Sequence, residues 1–269
     1  MDATPTTTPN PVSTELRVQR VRHEFAARHM QLMARERLSA GFVRVILGSA
    51  DLSGFRSDGF DDHVKLLLAP PGHARPGLPE LVDGRPFFQG ERPVARDYTP
   101  VRWDTEQGVL VLEFAIHDAG PAAHWARTAP MGHWVGVAGP RGSMVIPKGF
   151  AWHWLLGDDS ALPAIERRLA ELPAEAHVTV RLKVAEADRR TLHSAARVDL
   201  QWVDDLAEAA AALALPDTEG YIWAAGEHSE MAAIRSVMKD KGAPLKRMRI
   251  AAYWKRGEAA HHAELVEEA

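Results

Sequence analysis

Two patterns of hydrophobic and polar positions follow one another along the chain. From about residue 15, short runs of Val, Ile, Leu and aromatic residues alternate with clusters of Gly, Pro and Asp. Runs of this kind are typical of β-strands, and a succession of them predicts an antiparallel β-barrel. The runs are RHMQLMARERL, GFVRVILGS, HVKLLLAP, RDYTPVRW, VLVLEFAIH and HWVGVAG. The segment 69–93, rich in Pro and Gly, is predicted to be a long loop between two strands.

After residue 147 the pattern changes, because each apolar run is now followed by a stretch with helical periodicity. The segments are WHWLLGDD, SALPAIERRLAEL, HVTVRLKV, VDLQWV, LAEAAAALAL, YIWAAGE, SEMAAIRSVMKDK and MRIAAYW. Alternating strands and helices favour a parallel sheet covered by helices. We therefore predict a barrel domain at 15–147 and an α/β domain at 148–258. A disordered tail at 1–14 and a C-terminal tail at 259–269 flank them.

Composition narrows the function classes. The 269 residues suffice for two domains with cores, and 46% hydrophobic and 25% charged residues are typical of a soluble globular protein. No apolar window is long enough to span a bilayer, and the first residues do not resemble a secretory signal, so we expect a cytoplasmic protein without membrane contact. The net charge of −4 argues against nucleic-acid binding.

The chain has no cysteine, which excludes disulfides, thiolate nucleophiles and cysteine-ligated iron–sulfur clusters. Redox chemistry would therefore need a bound organic cofactor or a metal held without thiolates. Thirteen histidines are present, but their spacing fits no metal motif, and we predict no metal site.

The first candidate site is the run R-D-Y-T at 96–99. Strand alternation puts Arg96 and Tyr98 on one face and Asp97 and Thr99 on the other. An Arg offers a fixed fork for phosphate, and a Tyr ring stacks on a flat cofactor. A surface Arg beside a half-buried Tyr is the alternative interpretation.

Two more candidates follow in the predicted barrel. In HDAGPAAHWA at 117–126, the Gly-Pro step opens a short helix whose free N–H groups and positive dipole end would bind a pyrophosphate. An ordinary helix with Trp125 in the core remains the alternative. The run G-P-R-G-S at 139–143 is a turn after a strand, where a tight turn with an exposed Arg is equally compatible.

In the α/β region, G-D-D-S-A-L-P-A-I at 157–165 and A-A-G-E at 224–227 lie where strands end. Ligands of open parallel sheets collect at the carboxyl ends of the strands. The fingerprint G-x-G-x-x-G is absent, so the standard dinucleotide motif is not used.

Taken in order, these motifs resemble the siderophore-interacting protein family. The set is R-x-Y-T, H-x-x-G-P-A-x-x-W-A, G-P-R-G-S, G-D-(acid)-(Ser/Thr)-A-L-P-A-I, A-A-G-E and Y-W-(basic)-(basic)-G, and it extends from about Val21 to Gly257. The resemblance implies a two-domain ferredoxin-reductase-like fold, with an FAD-binding antiparallel barrel followed by an NAD(P)H-binding α/β domain.

The resemblance also implies roles for individual residues. The first motif would lie around the flavin, with the Thr99 hydroxyl near the ring edge that accepts hydride. His117 and the Gly120–Ala123 turn would bind the pyrophosphate, and the turns at 157–161 and 225–227 would surround NAD(P)H. The implied cofactor-binding residues are Arg96, Tyr98, Thr99, His117, Gly120, Ala122, Ala123, Trp125, Gly142, Ser143, Gly157, Asp158, Asp159, Ser160, Ala161, Ala225, Gly226 and Glu227.

Three positions depart from the family pattern. Ala123 stands where many members have Ser or Thr, so a hydroxyl ligand to phosphate is missing. Asp159 and Ser160 replace the usual Glu and Thr, which shortens the reach of both side chains. Asp97 adds negative charge where a neutral residue is common, and we expect it to lower the flavin reduction potential.

The function implied is that of an FAD-containing, NAD(P)H-dependent reductase that releases iron from ferric siderophores or other ferric chelates. The hard chemistry belongs to the flavin, so no protein side chain is assigned a catalytic role. Lys65, Lys255 and Arg256 match basic positions of the family and are predicted to attract the anionic chelate, although a solvated surface is the alternative.

Other functions remain open at this stage. They are an NAD(P)H:flavin or quinone oxidoreductase and a non-enzymatic ferric-siderophore binding protein. The choice between NADH and NADPH is also open, because Arg189 and Arg190 suit a 2′-phosphate while Glu186 and Asp188 would repel it. We expect a monomer, and the sequence does not identify the siderophore.

Overall fold

The computed structural model describes residues 16–116, 120–258 and 263–264. The elements of the first part of the chain are β1 (Gln19–Arg22), β2 (Ala27–Arg37), β3 (Phe42–Gly48), β4 (Val64–Leu68), β5 (Glu80–Val82), β6 (Arg85–Phe87), β7 (Val94–Tyr98), β8 (Pro100–Asp104), β9 (Val109–Ala115), α1 (Pro121–Thr128), β10 (Trp134–Ala138) and β11 (Gly142–Val145). Those of the second part are β12 (Trp152–Asp158), α2 (Leu162–Glu171), β13 (His177–Lys183), β14 (Arg197–Trp202), α3 (Leu206–Ala212), β15 (Gly220–Glu227), α4 (His228–Asp240), β16 (Met248–Trp254) and β17 (Ala263–Glu264).

Seven antiparallel strands form the sheet of the N-terminal unit, in the order β7-β4-β10-β2-β3-β9-β8. Its two edge strands are consecutive in the chain and separated only by Thr99. The sheet must therefore curl until its edges meet, which confirms the predicted antiparallel barrel. Inward side chains such as Met30, Leu32, Val45 and Leu112 fill its interior.

Two segments of this unit differ from the sequence-based expectation. The run RDYTPVRW is not one strand but two, because Pro100 has no N–H and the register against β9 shifts next to it. The predicted loop 69–93 contains the hairpin β5–β6. Its turn is formed by Asp83 and Gly84, both with positive φ, and an Asp-Gly pair is a strong signal for such a turn.

The C-terminal unit is a six-stranded sheet in the order β14-β13-β12-β15-β16-β17. The first five strands are parallel, as predicted, and β17 pairs antiparallel to β16. Strands β12 and β15 lie at its centre and are buried along their whole length, which explains their continuous apolar sequences. Helix α2 covers one face, while α3 and α4 cover the other.

The two units share an apolar core. Phe42 and Phe60 from the barrel side pack in one cluster with Ile165, Leu169 and Trp223 of the α/β unit. The predicted division between residues 147 and 148 falls in the connection from β11 to β12. Since one core spans both units, their relative position is fixed by packing as well as by polar contacts.

Polar contacts across this boundary involve two arginines of α2. Arg167 donates to the Ser57 side chain at 3.0 Å and to the Pro100 carbonyl at 3.0 Å. Arg168 donates to the carbonyls of Ile146 and Pro147 at 3.1 and 2.8 Å. These bonds anchor α2 to the barrel and to the connection that follows it.

No helix in the described ranges is long and apolar enough to cross a membrane. The predicted tail at 1–14 and the predicted pyrophosphate ligand His117 lie outside the described residues. In the predicted tail at 259–269, residues 263 and 264 form β17, and the other positions also lie outside the described residues.

Candidate functional site

A row of aromatic rings connects the first two candidate motifs. Tyr98 at the end of β7 lies against Phe114 of β9 with ring centroids 4.1 Å apart, and Phe114 lies 6.0 Å from Trp125 of α1. Burial raises the pKa of Tyr98 above its usual value, so its phenol stays neutral. Trp125 is buried and donates its indole N–H to His133 at 3.1 Å, which gives it a place in the barrel core.

The N-terminus of α1 differs from those of α3 and α4, and from the turn before α2, which Asp158 caps. Gly120 is its N-cap, Pro121 opens its first turn, and no described side chain caps it or adds negative charge there. By contrast, Asp205 caps α3 and Glu227 caps α4. Ala122 and Ala123 in this first turn have no side-chain acceptor for its N–H groups, which leaves these groups to the positive end of the helix dipole.

Strand β7, which ends with Tyr98, also carries Arg96 and Asp97 of the first motif. Arg96 is half-buried and donates to the Ala95 carbonyl at 2.8 Å. Asp97 forms an ion pair with Lys65 on the adjacent strand, with distances of 2.8 and 3.0 Å from Nζ to its two oxygens. Lys65, a predicted substrate residue, and Asp97, which we expect to act on the flavin potential, thus neutralise part of each other's charge.

Gly142 and Ser143 already contact other parts of the protein. A side chain at Gly142 would collide with the Val21 carbonyl of β1, at 2.5 Å. The Ser143 hydroxyl donates to Asp62 at 2.6 Å and lies 2.7 Å from Nε2 of His23. These contacts explain why Gly and Ser stand at the two positions without any ligand. The assignment of both residues to the cofactor stays a prediction.

Asp158 lies at the carboxyl end of β12, where the strand order of the sheet reverses between β12 and β15. Its side chain accepts four hydrogen bonds. Oδ1 receives the backbone N–H and the hydroxyl of Ser160 at 2.9 and 2.5 Å, and Oδ2 receives the Glu227 N–H at 2.9 Å and the Trp254 indole at 2.8 Å. Burial, followed by the charge of Asp159, raises its pKa to about 6.

Glu227 at the end of β15 is similarly occupied. Oε2 accepts the N–H groups of Ser229 and Glu230 at 2.7 and 3.3 Å and the Ser229 hydroxyl, and Oε1 accepts the Arg256 N–H at 3.3 Å. Burial acts to raise its pKa, but these bonds outweigh burial and lower the pKa to about 2.

The glycines of these two turns are explained by close packing within the protein. A Cβ on Gly157 would lie 2.4 Å from the Cβ of Ala161 and 2.8 Å from the Ala225 carbonyl. Gly226 has a φ of +155°, and a Cβ there would lie 2.7 Å from Oδ2 of Asp158. The structure therefore brings the two motifs into direct contact.

Strand β16, the last parallel strand of the sheet, reaches the barrel at Thr99. Thr99 is 7% exposed, and the hydroxyl of Tyr253 in β16 lies next to its side chain. Burial raises the pKa of Tyr253 well above its usual value. Nearby, Asp61 accepts the Trp223 indole N–H at 3.0 Å and pairs with Arg249 at 2.7 Å.

Sequence reasoning assigned Thr99 to the flavin but gave no role to the residues around it. Tyr253 and Trp254 belong to the motif Y-W-(basic)-(basic)-G, which was the available signal. Asp61 and Arg249 carried none, because their pairing joins positions far apart in the chain.

The predicted substrate residues near the C-terminus form a turn. Glu258 donates its N–H to the Lys255 carbonyl at 3.1 Å, and Gly257 has a φ of +80°, as in a type II turn. Lys255 forms an ion pair with Glu258, and Arg256 is exposed.

The two candidate 2′-phosphate ligands differ in their surroundings. Arg190 pairs with the buried Glu113 of β9 and with Glu166 of α2. Arg189 is exposed, bonds through Nε to the Val184 carbonyl at 3.2 Å and lies 5.7 Å from the Trp202 ring. Only Arg189 of this pair keeps its guanidinium edge toward solvent at the carboxyl ends of β13 and β14.

These arrangements fit FAD. The first turn of α1 can take phosphate, Tyr98 provides a neutral aromatic ring, and Arg96 provides a nearby positive charge. The carboxyl ends of β12 and β15 form the crevice in which parallel sheets bind nucleotides.

Two family profiles match the chain. Residues 31–144 match the siderophore-interacting FAD-binding domain, and residues 150–257 match the siderophore-interacting protein domain. The NADPH-dependent ferric-chelate reductase of Escherichia coli (strain K12) is 37% identical over 246 residues, which cover 88% of this chain and 96% of that protein.

Solved structures agree with this match. A siderophore utilization protein from T. fusca has a TM-score of 0.83 at 32% identity, covering 90% of this chain and 98% of that one. The ferredoxin reductase of carbazole 1,9a-dioxygenase has a TM-score of 0.62 at 17% identity, covering 85% and 69%. The second likeness confirms the predicted ferredoxin-reductase-like fold.

Proposed function

Since the chain belongs to the siderophore-interacting protein family, we propose that it is an FAD-containing, NAD(P)H-dependent reductase that releases iron from ferric siderophores. The observation that carries this proposal is the contact between Thr99 and Tyr253. Here the barrel strand with Arg96 and Tyr98 meets the last parallel strand of the nucleotide-binding type of sheet. A flavin beside Thr99 would then lie where the two units meet, next to a donor bound at the sheet.

The residues of the barrel would bind and orient FAD. Arg96 and the first turn of α1, from Gly120 to Ala123, would hold its phosphates, because a cation and free N–H groups both favour an anion. Tyr98 would stack on the ring system while its neutral phenol adds no charge. Ala123 has no hydroxyl, so at this position the backbone would act alone.

When bound, FAD supplies the redox chemistry, which consists of hydride uptake from NAD(P)H and electron transfer to ferric iron. The buried Thr99 and the half-buried Tyr253 would exclude water from this region and fix the distance between the units. The reduction of iron is an electron transfer and needs no acid or base from the protein. The side chains therefore act by orientation and electrostatics. Reduction releases iron because oxygen-rich chelators hold the ferrous ion far less tightly than the ferric ion.

Arg189 supports NADPH as the preferred donor. Its exposed guanidinium lies at the strand ends where the adenosine part of a dinucleotide binds in related sheets. Arg190 does not support this role, because its charge is engaged by Glu113 and Glu166.

Lys65, Lys255 and Arg256 would attract an anionic ferric chelate. Both lysines already pair with a carboxylate, so Arg256 contributes the least compensated charge of the three. Changing all three to Ala should slow reoxidation of the reduced enzyme by an anionic chelate, and the difference should shrink from 0.1 to 1 M salt as the Debye length falls from about 10 to about 3 Å. Equal slowing with a neutral chelate would contradict the steering role.

The function is tested by anaerobic stopped-flow with the FAD-loaded protein. NADPH or NADH should bleach the flavin absorbance, and ferric citrate should restore it while a ferrous trap is coloured. A quinone acceptor serves as the control for a general reductase. Faster reoxidation by quinone than by any ferric chelate, or the absence of flavin after reconstitution, would contradict the proposal.

We further propose that the protein acts in the cytoplasm, where NADPH and FAD are available, and that it acts as a monomer. Light scattering on the FAD-loaded protein tests the second statement. A mass twice that of one 29.6 kDa chain would contradict it.

A further inference from the structure

The turn that carries Lys255 and Arg256 is held from both sides by carboxylates of neighbouring strands. On one side, the Trp254 indole donates to Oδ2 of Asp158 at 2.8 Å. On the other side, the Arg256 N–H donates to Oε1 of Glu227 at 3.3 Å. The residues on either side of Lys255 are therefore bonded to the carboxyl ends of β12 and β15.

The two carboxylates cannot act as nucleotide ligands without losing these partners. Asp158 is 5% exposed, and each of its oxygens already accepts two hydrogen bonds. Glu227 is equally buried and closes the N-terminus of α4. A buried carboxylate at each strand end would also repel the phosphates of a dinucleotide.

Both carboxylates are also connected to each other. The Glu227 N–H donates to the same Oδ2 of Asp158 that receives the Trp254 indole. Gly226 makes this contact possible, because any side chain there would occupy the position of Oδ2. The ends of β12, β15 and β16 are thus tied together at one oxygen atom.

We propose that Asp158 and Glu227 are positioning residues, which hold the turn 255–258 in place for the ferric substrate instead of binding NAD(P)H. This assignment rests on the proposed function in so far as Arg256 faces the chelate. It also explains how an exposed side chain can have a fixed position, because the backbone N–H of Arg256 is bonded to Glu227.

The first test is hydrogen–deuterium exchange of the FAD-loaded protein, which does not depend on any reaction. In Asp158→Asn, the amides of 254–258 should exchange about tenfold faster, since a bond to a charged acceptor contributes enough for such a ratio. The matched control is Asp205→Asn, which alters a carboxylate that also caps a backbone N–H but lies at α3. Unchanged exchange at 254–258, or equal acceleration in the control, would overturn the proposal.

The second test separates the two half-reactions by stopped-flow. Asp158→Asn and Trp254→Phe should each slow reoxidation by ferric citrate several-fold, with a smaller effect on flavin reduction by NADPH. The loss in the double variant should be smaller than the sum of the two single losses, because both changes weaken the same bond. Additive losses, or a loss confined to flavin reduction, would return Asp158 to the role of a nucleotide ligand.

Trp254→Phe keeps the proposal testable if Asp158→Asn does not fold, because it removes only the indole donor from a half-buried position. If the wild-type enzyme reduces no ferric chelate, the proposed function fails. The exchange measurement on Trp254→Phe then decides by itself whether the turn is held by Asp158.

Discussion

Arg190 and Arg189 are adjacent, yet the structure predicts opposite consequences for their removal. Arg190 reaches Oε2 of Glu113, whose side chain is 0% exposed, at 2.5 Å, and it also pairs with Glu166. Removing one partner of a buried ion pair costs about 3–5 kcal/mol. Because Arg44 still binds Oε1 of Glu113 at 2.7 and 3.0 Å, we expect Arg190→Ala to lower the free energy of unfolding by about 2–3 kcal/mol.

Arg189→Ala is the matched control for stability and the test variant for the nucleotide. Its guanidinium lies over the half-buried Trp202 ring, 5.7 Å from the ring centre, a contact of about 0.5–1 kcal/mol. Loss of a charge-assisted contact to a 2′-phosphate would instead weaken NADPH binding by roughly tenfold or more and leave NADH unchanged.

Both variants are measured by urea unfolding of the FAD-free and FAD-loaded proteins and by titration of flavin reduction with each nucleotide. Arg190→Ala should shift the unfolding midpoint and leave the preference between NADPH and NADH unchanged. A changed preference in Arg190→Ala, or a stability as high as that of the wild type, would refute the reasoning. Equal effects of Arg189→Ala on both nucleotides would remove Arg189 from the nucleotide site.

Three further predictions concern single positions. Arg96→Ala should lose FAD on dialysis, since a charge-assisted phosphate contact is worth about 1.5–3 kcal/mol, and full flavin occupancy would argue against the assignment. Because the folded state raises the pKa of Asp158 from 3.8 to about 6, it binds this proton more tightly than the unfolded chain, so between those pH values stability falls as pH rises. The slope, at most about 1.4 kcal/mol per pH unit, should be shallower in Asp158→Asn when unfolding is followed across this range. Gly157→Ala should lose about 1–3 kcal/mol because its Cβ would lie 2.8 Å from the Ala225 carbonyl, whereas Gly77→Ala, whose Cβ would lie an unstrained 3.9 Å from the Gln89 carbonyl, should unfold like the wild type.

The sequence was sufficient to predict both sheets, because the type of burial leaves a pattern in the residues. Strands β12 and β15 are buried on both faces and appear as unbroken apolar runs, while alternation with helices indicates parallel pairing. The break between β7 and β8 was missed although Pro100 marked it. Residues 96–103 have the aromatic and Val content of a single strand, and the register shift at Pro100 depends on pairing with β9, which local sequence does not reveal.

The site was predicted less completely, because a local motif does not reveal which partner its polar groups have. Asp158, Glu227 and Ser143 stand in turns that are favourable for ligands, and in the structure each is bonded to side chains or N–H groups of the protein. The contacts with Trp254 and Arg256 join residues separated by more than twenty positions, so spacing within the motif carried no information about them.

A comparison of helix ends shows how the two possibilities can be distinguished once the fold is known. Helix α4 and the turn before α2 begin with carboxylates that satisfy their own N–H groups, so neither needs an anion from outside. The first turn of α1 begins with Gly120 and Pro121, which offer no side-chain acceptor. Only the latter arrangement gains free energy when a phosphate arrives, because the phosphate replaces water without displacing an internal hydrogen bond. A small residue at a strand-to-helix turn therefore serves close packing in the α/β sheet, whereas in the barrel we propose that it serves ligand binding.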